Sequence, residues 1–266
     1  MQTILSFDLK GDFGFFKKPD VNDNKRTPYL SYNMLHKPAL LGILGAIVGL
    51  EGYQKKGELP EYYRLLRHLP VGIAPVAGTH EQGNFQKTTL TYNNSMGYAS
   101  QEQGGNLMIT ESMLIRPAYR CYVALDTDHP VEAKLREHIL AQQAEFLPYF
   151  GKNEFAVWWH KAEVREYAYE PVTTPPAQSF EIRTLFVKEN LNLREQQQAE
   201  TSLGFDLMAP VTATFAYFER LPMSIHESLF QYEWRNFTFT NFRIKAGSQL
   251  PALYFLPEEN AYVQLI

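Results

Sequence analysis

Tyr32, His36 and Lys37 fall within six positions of one another in the stretch SYNMLHKPALLGILGAIVGL, residues 31–50. A tyrosine, a histidine and a lysine at this spacing form an acid–base cluster. In principle they cleave RNA without metal, one group activating a 2′-hydroxyl while another protonates the leaving oxygen. The alternative is that they bind phosphate and sugar without chemistry, and that reading is preferred. Pro38 opens an apolar helix directly behind them. The preferred residues at such a start are acidic or neutral, and a cation there costs a few tenths to about 1 kcal/mol. Two cationic residue types at the positive end of a helix dipole therefore ask for an anion.

Other catalytic patterns are missing. GILGAIVG lacks the glycine spacing of a dinucleotide cradle, and GKNEF (151–155) has no phosphate-loop context. No serine sits in a G-x-S-x-G elbow. The seven histidines show no paired metal spacing, and Cys121 is the single cysteine. That excludes a disulfide framework and a thiolate zinc site, and fits a reducing compartment. Neither a metal nor another cofactor is expected.

Binding patterns are richer. In LIRPAYRCYVAL (114–125), strand alternation puts Arg116 and Arg120 on one face and Tyr119 with Cys121 on the other. Two arginines so placed grip successive phosphates or pair with helix acids, and the spacing does not choose between these. Lys152 and Asn153 sit in a tight turn, as phosphate donors or as a simple polar turn. Trp158 and Trp159 point to opposite faces of a strand. Between residues 10 and 37, Lys10, Lys17, Lys18, Lys25, Arg26 and Lys37 outnumber Asp12, Asp20 and Asp23. Six cations less three anions leave +3 there and −7 elsewhere, for a net charge of −4. A basic region on an acidic body excludes a free-standing binder coated in positive charge, but suits an RNA-contacting subunit with protein partners.

These residues need a scaffold. TILSFDLKG alternates as a strand, with Ile4, Ser6 and Asp8 on one face and Leu5, Phe7 and Leu9 on the other. In the Pro38 helix Gly42, Gly45 and Gly49 line one face, which predicts close packing against a sheet. PVGIAPVAG (70–78) reads as a strand. Residues 79–115 read as an extended hairpin, and the run up to Leu125 as one long strand. Residues 129–150 read as an amphipathic helix, followed by strand. The order β–α–β then β–α–β predicts an α+β, ferredoxin-like (RNA-recognition-motif-like) sheet with helices on one face. EPVTTPPAQS (170–179) is the candidate linker, and strand-like segments follow it.

The size, 266 residues and 45% hydrophobic, allows one large or two small cores. The longest apolar run, Pro38–Leu50, is 13 residues, against about 20 for a membrane span. With no basic stretch leading into an apolar segment at the start, a cytoplasmic protein with no membrane partner is expected.

Several stretches occur together and in order: FDLKGDFGFFKKPD, SYNMLHKPALLGILGAIVGLEGY, MLIRPAYRCYV, YFGKNEF, FERLPMSI and YEWRNFTFTNFRI. Together they resemble the CRISPR-associated fifth-family (RAMP-superfamily) subunit of the type I Cascade surveillance complex, most like its I-B branch. The resemblance implies an RNA-recognition-motif-like domain over 1–170. It implies a β-hairpin thumb over about 84–110, with Met96 and Tyr98 near its tip, and a small β-rich domain over 171–266. It further implies a non-catalytic subunit, not a homo-oligomer by itself, that caps the 5′ handle of the CRISPR RNA. Such a subunit contacts the backbone and large subunits and meets target DNA only in the assembled complex. On this resemblance His36 and Lys37 would face the sugar-phosphate chain at the helix start, and Tyr29, Tyr32 and Tyr119 would be stacking partners. One branch of the family is itself an endoribonuclease, using a tyrosine near this helix entry and a later lysine–histidine pair. Tyr32 matches the tyrosine. The pair is absent, since Lys87 and His80 are not adjacent.

Overall fold

The computed structural model describes residues 2–19, 28–76, 82–93, 108–187, 205 and 215–266. Lys25, Arg26, Met96 and Tyr98 lie outside these residues. The elements in chain order are β1 (Gln2–Gly11), β2 (Phe13–Gly14), β3 (Tyr29–Leu30), α1 (Lys37–Val48), α2 (Glu61–Leu66), β4 (Val71–Pro75), β5 (Lys87–Asn93), β6 (Met108–Ile115) and β7 (Ala118–Asp126). They continue as α3 (Pro130–Ala141), β8 (Val157–Trp158), β9 (Arg165–Tyr167), β10 (Glu170–Pro171), β11 (Phe186–Val187), β12 (Ala216–Ile225), β13 (Tyr232–Thr240), β14 (Leu253–Leu256) and β15 (Ala261–Gln264). The fold is mixed α+β. No helix among the described residues is long and apolar enough to cross a membrane.

The central sheet runs β4-β7-β1, and β8 and β9 both pair the far edge of β1, all neighbours antiparallel. With β8 and β9 counted as one broken strand, this is the ferredoxin-like arrangement. Both faces of β1 are buried, which explains why its polar face carries only Ser6 and Asp8. Leu5, Phe7 and Leu9 enter the main core with Leu40, Leu41, Leu44, Leu135 and Ile139 of the helices. Ile4 joins a smaller core on the other side with Tyr122, Tyr167, Val263 and Leu265. Each aliphatic side chain fully buried here contributes roughly 1.5–3 kcal/mol.

Helix α1 is apolar nearly all round because it is covered nearly all round. Its glycine face does not meet the sheet, as its spacing suggested, but α2. A Cβ added at Gly45 would lie 2.3 Å from Cβ of Tyr62. Gly49 takes φ 78° and closes the helix, its N–H and that of Leu50 reaching the carbonyls of Ala46 and Gly45. Helix α3 is shorter than residues 129–150. Gln142 turns left-handed (φ 57°), and the chain doubles back so that Glu145 and Phe146 donate to the carbonyls of Ile47 and Ala46. The Ile47 carbonyl would otherwise lack a partner, and that of Ala46 is shared with the N–H of Gly49.

The expected single strand through Leu125 is two strands in different sheets. Arg116 takes φ 48° ahead of Pro117, so it sits in an exposed bend between β6 and β7 and shares no face with Arg120. Strands β5 and β6 form the hairpin, in register from Lys87↔Leu114 to Asn93↔Met108. β2 and the parallel β3 extend the same sheet on β6.

The segment at 170–179 begins as β10, paired to β14 in the sheet β10-β14-β15. A further sheet runs β11-β13-β12. This C-terminal part shares the main core through Leu185, Val187, Leu221, Ile225 and Phe237. Its end also pairs the edge of β4, with Val71 and Ile266 exchanging N–H···O bonds of 3.1 and 2.9 Å.

Candidate nucleic-acid interface

The mouth of α1 is closed by the protein itself. His36 is the N-cap: its backbone is extended and its Nδ1 accepts from the N–H of Ala39 at 3.3 Å. Its ring is boxed edge-on by Tyr32, Tyr232 and Phe16 at 5.4, 5.6 and 6.0 Å. Burial pushes its pKa down to about 3, so His36 is neutral. Lys37 turns away and donates to the carbonyls of Leu69 and Ile266, each at 2.9 Å. Burial lowers its pKa to about 8. The anion the sequence asked for is an internal carboxylate just upstream. Glu219 of β12 accepts the N–H groups of Asn33 (3.2 Å) and Met34 (3.2 Å), the hydroxyl of Tyr217, and Lys18 Nζ at 2.9 Å. The expectation that His36 and Lys37 converge on an external phosphate is therefore corrected. One residue is an uncharged cap and the other ties α1 to the C-terminal part.

The acid–base trio does not converge either. The hydroxyl of Tyr32 accepts from Trp234 Nε1 at 2.8 Å, and Lys37 points elsewhere. Tyr119, expected to stack on a ligand, is fully buried against Phe16, Phe85 and Phe150, and its hydroxyl donates to the carbonyl of Asn33.

Most of the other cations are engaged internally. Arg120 grips Asp8 through Nε–Oδ1 (2.7 Å) and a second bond to Oδ2 (2.9 Å), and its guanidinium is held above the ordinary range by that bond first. Internal pairing, not phosphate, is the arrangement present there. Lys10 pairs with Glu163 at 2.6 Å. Lys152 pairs with Glu111 at 2.6 Å and lies 4.2 Å over the ring of Tyr92. Burial opposes its charge, but the bonds to Glu111 and Tyr92 outweigh this and raise its pKa. Asn153 is exposed in the adjacent turn.

A different set of cations faces outward without a carboxylate partner among the described residues. Lys17 Nζ lies 3.9 Å over the ring of Tyr29 on β3, at the foot of the hairpin. Lys87 begins β5, where burial lowers its pKa and Glu219 and Lys18 act on its charge. Arg220 on β12 lies 5.4 Å over Trp234 on β13. Arg235 is exposed on the opposite face of the ribbon, across from Leu221 in register, and donates to the carbonyl of Trp234 at 3.1 Å. Arg220, Trp234 and Arg235 were not singled out from the sequence. The available signal was arginine next to aromatic in FERL and YEWRNF, used there only for the strand reading and the family resemblance. Among the described residues no group of three His, Cys, Asp or Glu side chains could hold a metal ion.

No protein-family profile matches the sequence, and no curated protein matches it. Among solved structures, the chain is similar to a chain of a CRISPR RNA-guided surveillance complex. The identity is 11%, covering 91% of each chain, with a TM-score of 0.47. It is also similar to a CRISPR-associated protein, at 15% identity over 63% of this chain and 69% of that one, TM-score 0.34. A functionally uncharacterized protein, SMU1763c from Streptococcus mutans, is similar at 16% identity over 63% and 69%, TM-score 0.34.

Proposed function

We propose that this chain is a non-catalytic, RNA-binding subunit of a type I CRISPR surveillance ribonucleoprotein, of the RAMP-superfamily fifth family and nearest its I-B branch. It caps the 5′ handle of the guide RNA, touches the backbone and large subunits, meets target DNA only within the assembled cytoplasmic particle, and works without a metal or cofactor.

The observation that carries the reading is the Lys17–Tyr29 pair. Tyr29 is on β3, which runs alongside β6, and Lys17 lies over its ring beside the β5–β6 hairpin, in the region where the sequence resemblance implies a thumb. A cation lying on an aromatic ring, unpaired by any carboxylate among the described residues, suits unpaired RNA, which is held by stacking and phosphate contacts. Lys87 adds a second outward cation to the same foot. The engagement of Tyr32 by Trp234 and of His36 as a cap supports a binding role over the endoribonuclease alternative.

The test is co-expression with a guide RNA and the partner subunits, comparing the parent chain with the double variant Lys17→Glu, Lys87→Glu. The expected result is guide RNA lost from the purified particle with the variant still folded. Full retention at moderate salt overturns the reading. Incubating the purified chain with a repeat hairpin in chelator is expected to leave the RNA intact. Cleavage that Tyr32→Phe abolishes would replace this function with processing.

A further inference from the structure

A short chain of contacts links the hairpin foot to β12 and β13. Lys18 lies 5.1 Å over the ring of Tyr32, the Tyr32 hydroxyl holds Trp234 Nε1 at 2.8 Å, and Arg220 lies over Trp234. Tyr232 braces Trp234 edge-on at 6.1 Å. Phe218, two residues before Arg220 on the same face of β12, is half exposed at 49%. Asn236, directly across from Arg220 in register, is also exposed. This face thus offers an indole fixed by Tyr32 and Tyr232, a half-exposed phenyl ring and the Arg220 guanidinium, which meets no carboxylate among the described residues.

Resting on the RNA-binding reading above, we propose that the β12–β13 face is a second contact for unpaired RNA. One base stacks on the Arg220–Trp234 pair, and the Arg220 guanidinium neutralises a flanking phosphate. Unpaired strands are held by aromatic side chains for the bases and guanidinium groups for base planes and phosphates, with little dependence on sequence. The strand then runs from the hairpin foot across Tyr32 to the C-terminal part. A guanidinium stacked on an indole and paired to no acid among the described residues is available to phosphate in a way that Arg120, clamped on Asp8, is not.

The experiment uses the full chain and a fluorescein-labelled, unstructured oligoribonucleotide of about ten nucleotides, titrated over a range of salt. One phosphate lost from a single strand flattens the logarithmic salt slope by about 0.7. The variant Arg220→Glu changes only an exposed side chain, so its folding is preserved. It should bind at least tenfold more weakly, with that flatter slope. Photo-cross-linking with 4-thiouridine in the same oligonucleotide should label residues within 216–236. Unchanged affinity and slope, or cross-links confined to the hairpin strands, overturns this inference. If Arg220→Glu also keeps guide RNA in the particle while Lys17→Glu, Lys87→Glu loses it, the second contact fails and the proposed function stands.

Discussion

The ammonium of Lys37 lies 2.9 Å from the carbonyl oxygen of Ile266 and 2.9 Å from that of Leu69, joining the start of α1 to the last residue and to the entry of β4. Lys37→Met would leave the carbonyl of Leu69 without its donor, while that of Ile266 keeps the N–H of Val71, and an orphaned buried acceptor costs about 1–3 kcal/mol. A loss of about 2 kcal/mol in denaturant unfolding is expected, with RNA affinity of the folded fraction unchanged. The pH dependence has a definite sign. The folded pKa of about 8 lies below the ordinary 10.5, so the unfolded chain holds more proton between those values. Stability should therefore rise from pH 8 to 10.5 in the parent relative to Lys37→Met, and the difference should be flat below pH 8.

His36 gives the acid counterpart. Folded, it is neutral down to about pH 3, whereas unfolded it titrates near 6.5. Its stabilising share is complete above pH 6.5 and is lost as pH falls toward 3, at about 1.4 kcal/mol per unit. His36→Asn keeps a capping acceptor for the Ala39 N–H and removes the titration. Comparing the two proteins between pH 6.5 and 4 isolates the histidine from the carboxylates common to both. The expected outcome is a shallower acid loss in the variant, despite a lower stability at neutral pH where the ring no longer fills its aromatic box. Parallel curves would show that His36 is charged in the fold.

How much of this was readable beforehand follows from the reach of each signal. The alternation in β1 and the apolar run behind Pro38 are local, and both elements form where the residues place them. The glycine spacing identified a small-residue face but not what presses on it, because Tyr62 belongs to another element. Where α3 ends depends on the left-handed turn at Gln142, a residue type with no strong preference for it. The site was least legible where partners are far apart: Tyr32 meets Trp234 across 202 positions, and Lys37 meets Ile266 across 229. A charge count gives a residue's sign and leaves out whether a distant carboxylate neutralises it. For that reason Arg120, Lys10 and Lys152 looked like RNA ligands, and Arg220 and Arg235 went unnoticed.

Arg120 and Asp8 face each other across β7 and β1, in register. Arg120→Leu would strand a carboxylate whose side chain is only 5% exposed. Breaking a buried pair costs about 3–5 kcal/mol, and solvent reaching the 40%-exposed arginine places this one near 3. The double variant Asp8→Leu, Arg120→Leu should recover most of that loss. Unfolding of the two variants and the parent measures it. If Arg120→Leu keeps full stability but weakens RNA binding, the pair is not the structural clamp described.

The two inner glycines of α1 should respond oppositely to the same change. At Gly42 an added Cβ meets only the ring of Tyr62 at 3.6 Å, an ordinary contact, so Gly42→Ala should stabilise by up to about 1 kcal/mol through helix propensity. At Gly45 the Cβ would fall 2.3 Å from the Cβ of Tyr62. Overpacking there should destabilise by about 1–3 kcal/mol. Thermal unfolding of the two variants against the parent separates them, and equal shifts would mean that α2 does not press on this face.

The last expectation concerns which cations carry the salt dependence of RNA binding. Releasing counterions from a single strand gives a slope of about 0.7 per phosphate neutralised. Lys10 and Lys152 are already compensated by Glu163 and Glu111. Removing either charge frees a carboxylate and breaks an ion pair, but takes away no phosphate contact. Lys17 has a ring beneath it and no acid beside it among the described residues, so its charge is available to a phosphate. Lys17→Gln should therefore flatten the slope by about 0.7 and weaken binding most at low salt, whereas Lys10→Gln should leave the slope as it is. A titration of the same oligoribonucleotide at four salt concentrations decides this. If Lys10→Gln flattens the slope and Lys17→Gln does not, the partition between internally paired and outward cations is wrong.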